Sequence, residues 1–254
     1  MAWALSMNTP EAAADKEAFS ALLRANLVSV RKLRSASVLS GKQAELRMRL
    51  RAWQAGRFLR TYADLMASDR YRPAAEFFLS DLYGPKDFSE RDQELERFLP
   101  AIAKILPAAA IRTLAVGVEL DLLSESLDAT MVQAFLAAGR TAETDISEAA
   151  YARAYRSCDN RRGREAQIAL LMQIGDAIDK LTRKPLLRAA IALIRAPAHA
   201  AGMGELHDFL DRGFYAFRHM HGAGEFLALI RERESSILER LFAAHRAPFD
   251  LDCE

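Results

Sequence analysis

The stretch IRTLAVGVELDLLSES carries Glu119 with apolar neighbours on its own helical face. Ala115 and Val116 precede it there, and Leu122 and Leu123 follow it. A carboxylate without partners in such surroundings is costly, or it takes up a proton. Glu119 is therefore expected to be a buried acid. Its partner would be an arginine, or else a metal or ligand group held between helices; the remaining alternative is that the helix is less buried there than its pattern suggests. Asp121, flanked by Gly117, Val118, Ser124 and Glu125, is expected to look outward.

A second arrangement with ligand chemistry is His207, Asp211, Tyr215 and His219, which recur every four residues. Histidine and aspartate at this spacing could hold a metal, and a lone histidine beside an apolar pocket could hold a haem. Helical phase argues for a plainer reading. Leu206, Leu210, Phe214, Phe217 and Met220 take one face with Gly213, which leaves the four polar residues on the opposite, solvent-facing side. The chain contains no Glu-x-x-His pair and no His-Glu-x-x-His. His207, Asp211 and His219 thus stand as weak metal candidates, and no cofactor is firmly implied.

The most distinctive segment is EFFLSDLYGPKDFSERD, residues 76 to 92. Phe77, Phe78, Tyr83 and Phe88 interleave there with Asp81, Asp87 and Asp92. One reading is a corner anchored by aromatics, in which Gly84 supplies a left-handed turn and Ser89 caps the next helix. The other is the edge of a pocket that presents Asp81 or Tyr83 to a ligand. Together with YARAYR and RGFYAFRHM, this segment resembles an uncharacterised bacterial all-helical family. The resemblance runs along the whole chain and implies an all-helical fold, but it brings no activity with it. Tyr151 and Tyr155, from YARAYR, join Asp81, Tyr83 and Glu119 as ligand-binding candidates.

A further segment, REAQIALLMQIGDAIDK, places Gln167, Asp176 and Asp179 on an apolar helix. It resembles the second conserved helix of squalene/phytoene-type isoprenoid synthases, with Asp208 and Asp211 as a second carboxylate pair. That resemblance would imply magnesium ions held against a diphosphate. The order of the motifs differs from that family and a dense first Asp-rich motif is missing, so this is a remote alternative.

These residues need a scaffold, and the sequence reads as helix nearly throughout. Ala, Leu, Arg and Glu dominate, and no alternating run of strand length occurs. Proline and glycine punctuate about ten helices joined by short connections, so the expected fold is an all-α, compact multi-helix bundle. A single domain is expected over 1–254. The polar loop from Gly139 to Ile146 offers a possible subdivision into 1–139 and 146–245, and residues 246–254 are expected to fray. With 254 residues, 51% hydrophobic and 27% charged, the chain is large enough for a full core and excludes a disordered or fibrous protein.

Two cysteines, Cys158 and Cys253, fit free thiols in a reducing compartment better than a disulfide scaffold. The start of the sequence does not read as a secretion signal. The most apolar run, Phe98 to Val118, is broken by Lys104, Arg112 and two prolines, so no transmembrane span is expected. These features point to a cytoplasmic protein.

The net charge of +1 conceals an asymmetry. Residues 24–60 hold ten basic residues against one acid, a surplus of +9, which leaves −8 for the remainder. This arm, including Arg47, Arg51 and Arg57, could meet an acidic protein or another polyanion. It could equally dock on the chain's own acidic helices, such as that from Glu90 to Glu96. The leading expectation is a non-catalytic helical protein that binds a macromolecular partner or an apolar ligand. Self-association stays open. The alternative is an enzyme or a haem or metal protein with an interhelical site around Glu119.

Overall fold

Pro107 ends one helix and opens the longest one. Its ring fixes the extended backbone that starts a 30-residue helix at Ala108. The computed structural model describes residues 10–36, 41–82, 88–141 and 143–251, and these described residues form twelve α-helices. No strand occurs among the described residues.

The first half comprises α1 (Pro10–Ala36), α2 (Gly41–Thr61), α3 (Ala63–Ala67), α4 (Arg72–Phe77), α5 (Ser89–Ile105) and α6 (Ala108–Ala137). A wide π-helical turn, Phe78–Leu82, extends α4. The second half comprises α7 (Glu148–Ser157), α8 (Arg161–Thr182), α9 (Pro185–Leu193), α10 (Arg195–Ala200), α11 (Gly204–His219) and α12 (Gly224–Phe242).

The central element is α6. It packs against α1, α2, α7 and α8, while α12 lies on α8, and α11 bridges α4, α5 and α8. Helices from both sides of the Gly139–Ile146 loop therefore share one interior. That interior is built around Phe78, Phe217 and Phe226 in one region, Leu50, Met131 and Phe135 in a second, and Leu23, Leu99 and Ile111 in a third. No helix among the described residues is long and apolar enough to cross a membrane.

Local stop and start signals act as expected at several points. Gly139 takes a φ of +70°, and the Ser147 hydroxyl accepts the Ala150 N–H at 3.3 Å to cap α7. Other boundaries differ. The expected helix from Lys42 to Ser68 divides at Tyr62, whose hydroxyl donates to Glu234 Oε1 at 2.7 Å. Phe88 rather than Ser89 is the N-cap of α5. The tail is docked rather than frayed through Leu251. Phe249 packs on Trp53 at 5.4 Å and on Tyr151 at 5.9 Å, and Arg240 donates to the Asp250 carbonyl.

Candidate functional site

Three acids on α6, Asp121, Glu125 and Asp128, stand at the i, i+4, i+7 spacing of one helical face. Across from them α2 presents Arg47, Arg51 and Gln54 at the same spacing. The two rows interlock. Glu125, only 3% exposed, pairs with Arg47 and Arg51, and also with Arg34 from α1 at 3.1 Å. Gln54 donates to Asp128 at 3.0 Å. Arg34 grips Asp121 with two bonds of 2.8 and 2.9 Å and also meets Asp92, which Arg91 holds at 3.0 Å. Four guanidiniums thus face four carboxylates inside the bundle. Burial, then the neighbouring Arg51 cation, push Arg47 below the ordinary arginine value. Burial likewise pushes the Asp121 carboxyl up, against the pull of Arg34.

Beside this network lies a cavity of about 490 Å³, within the size range of small-molecule pockets. Its walls change character along the helices. On α6 the lining runs from Ala110, Leu114 and Val118 to Asp121, Ser124, Glu125 and Asp128. On α8 it runs from Arg164 and Gln167 to Ile168, Leu171, Ile174, Ile178 and Leu181. Gln167 Nε2 donates to Ser124 Oγ at 2.8 Å, which fixes the two polar ends together. The apolar ends then extend alongside each other for about 21 Å at 1.5 Å per residue. Short helices α9 and α10 close that side with Leu187, Ile191 and Ile194. Ile105 lines the cavity while 60% exposed, so the apolar end opens there.

The polar end holds one cation that the ion pairs leave over. Arg164 is 8% exposed. Its Nη1 donates to Gln167 Oε1 at 3.1 Å, and its guanidinium lies 4.8 Å from the centre of the Tyr155 ring. Among the described residues no carboxylate reaches within 4.0 Å of it. Burial works against its charge, but the fields of Tyr151, Tyr155 and Asp128 outweigh that and hold its pKa above the ordinary arginine value. Tyr151 and Tyr155 stand beside it with ring centroids 5.9 Å apart, and burial pushes both phenols up.

The family described as a domain of unknown function, DUF8198, matches residues 34–248. This chain belongs to the DUF8198 family. The matched stretch contains Arg164 and every cavity-lining residue except Phe249. No curated protein and no solved structure matches the chain.

Against this DUF8198 cavity, the expected site residues divide sharply. Tyr151, Tyr155 and Asp81 line it. Asp81 is buried and accepts from Arg212 Nη2 at 2.6 Å. Tyr83 lies outside the described residues. Glu119 is exposed, not buried, and is absent from the cavity wall. The covered acids of α6 are Glu125 and Asp128, with Asp121 half-buried rather than outward-facing. Arg47, Arg51 and Arg57 turn inward to Glu125 and Glu234 rather than outward to a partner. The arm docks on the chain's own acids, as Arg31 with Glu96 also does at 2.7 Å. The histidine stripe does not gather: His219 bonds the Asp69 carbonyl at 3.0 Å, Asp211 is half-buried, and His207 is buried at the cavity wall. Asp176, Asp179, Asp208 and Asp211 all lie off the cavity lining, which leaves the isoprenoid-synthase resemblance without a diphosphate site there.

Proposed function

We propose that this protein is a non-catalytic binding protein for an amphipathic anion, with an apolar body in the cavity and a carboxylate-like head at Arg164. The observation that carries the reading is the buried guanidinium of Arg164, which no carboxylate among the described residues pairs, at the polar end of an otherwise apolar cavity. A buried charge needs an opposite charge, and a planar guanidinium suits a carboxylate in two parallel hydrogen bonds. Gln167, Ser124 and the phenols of Tyr151 and Tyr155 supply further polar atoms nearby. A non-catalytic role is supported by the acids of the wall. Asp81, Asp92, Asp121, Glu125 and Glu234 are each ion-paired, so none is positioned as a free general base. The unpaired thiol of Cys158 fits a reducing, cytoplasmic setting.

The test compares dodecanoate with dodecanol by calorimetry on the full chain. Dodecanoate is expected to bind more tightly. Arg164→Gln removes charge-assisted bonds worth about 1.5–3 kcal/mol, so dodecanoate should weaken by about tenfold to a hundredfold while dodecanol is unchanged. Equal binding of acid and alcohol, or no binding of either, would overturn the proposal.

A further inference from the structure

His207, 3% exposed on the first turns of α11, meets two other ligand-bearing side chains outside the ion-pair network. Its Nε2 lies 2.9 Å from the Ile191 carbonyl, which can only accept, so Nε2 carries the ring proton and donates it there. In the neutral ring that leaves the Nδ1 lone pair facing Asp208 Oδ1 at 3.4 Å, one acceptor against another, which a shared cation would satisfy as ring protonation would. His199 Nε2, from α10, stands 3.0 Å from the same carboxylate oxygen. All three ligand atoms lie within 4.8 Å of one another.

We infer that His199, His207 and Asp208 form a binding site for a divalent transition-metal ion of the zinc class. Bonds of about 2.0–2.1 Å in a tetrahedral zinc site set neighbouring ligand atoms about 3.3 Å apart, the spacing found at Asp208. Two imidazoles and a carboxylate suit zinc or cobalt, whereas magnesium and calcium favour oxygen ligands. The bond from His207 Nε2 to a backbone carbonyl is how a ligating imidazole is oriented and its tautomer fixed. The turn before α11 is shaped for this meeting. A Cβ on Gly204 would come within 3.1 Å of His199 Nδ1, so glycine lets the His199 ring lie over the start of α11. Water would complete the coordination, because the His199 and Asp208 side chains are partly open to solvent. Arg195 adds a positive field at Asp208, so the site should bind more weakly than a closed four-ligand one.

The site is tested on untagged, chelator-treated full-length protein with Co²⁺ and then Zn²⁺. One Co²⁺ per chain is expected, with the visible absorption of low-coordinate cobalt, no sulfur-to-cobalt band, and displacement by Zn²⁺. His199→Ala changes an exposed position and Asp208→Asn a half-buried one, and each should weaken uptake about tenfold or more with helicity intact. No saturable Co²⁺ uptake, uptake unchanged in both variants, or a sulfur band that places the ion on a cysteine would each overturn the assignment.

Discussion

Glu119 and Glu125 share α6 but lie about 120° apart around its axis at 100° per residue, and only Glu125 is buried. Glu125→Ala would strand Arg47 inside the bundle and leave Arg34 and Arg51 short of a partner. Breaking a buried pair from one side costs about 3–5 kcal/mol, so this variant should lose about that much stability in urea denaturation. Glu119→Gln, at the surface, should stay within about 0.5 kcal/mol of the parent by the same measurement. The apolar neighbours of Glu119 misdirect because α6 is covered on several sides, so apolar residues surround even its open stripe. That stripe was legible another way: Arg112, Glu119, Ser126 and Gln133 are all exposed and recur every seven residues. The matched rows Asp121–Glu125–Asp128 and Arg47–Arg51–Gln54 were legible too, as complementary spacings on two helices. Arg164 was not, because its lack of an acid partner among the described residues depends on which helices meet.

At the scale of elements, the helices themselves followed from composition and from Pro107, Gly139, Ser147 and Pro185. The divisions that escaped were made by tertiary contacts. Tyr62 interrupts a helical run of good helix formers where its hydroxyl reaches Glu234 on α12, which local sequence does not encode. Gly213 was readable as a place of close approach, and α4 is what approaches. A Cβ there would stand 2.8 Å from Phe77 Cζ, the end of a stiff ring packed against Phe209. Gly213→Ala must therefore push α11 and α4 apart. The helix-propensity gain of about 1 kcal/mol is offset by overpacking of about 1–3 kcal/mol. The expected outcome is a lower melting temperature, whereas Gly117→Ala, on α6 with open space at its Cβ, should raise it.

Across the whole molecule, the basic arm is divided between the interior and the surface. Arg34, Arg47, Arg51 and Arg57 face Asp92, Asp121, Glu125, Asp128 and Glu234 inside the bundle, while the other six basic residues of 24–60 are exposed. Against burial, Glu234 holds the Arg57 guanidinium above the ordinary arginine value, so the alkaline limit of the protein falls to groups that titrate lower. Tyr151 and Tyr155 are those groups. Burial raises both phenols above the usual value near 10, so the unfolded chain gives up these protons before the folded one does. Their contribution to stability is fully present below about pH 10 and is lost as pH rises beyond it. Loss of the helical circular-dichroism signal should therefore set in above pH 10, together with a late tyrosinate absorbance step. Tyr151→Phe combined with Tyr155→Phe removes both titrations, and that variant should hold its helicity to higher pH than the parent. If the parent's tyrosinate change is complete before any helicity is lost, Tyr151 and Tyr155 are not the groups that set the limit.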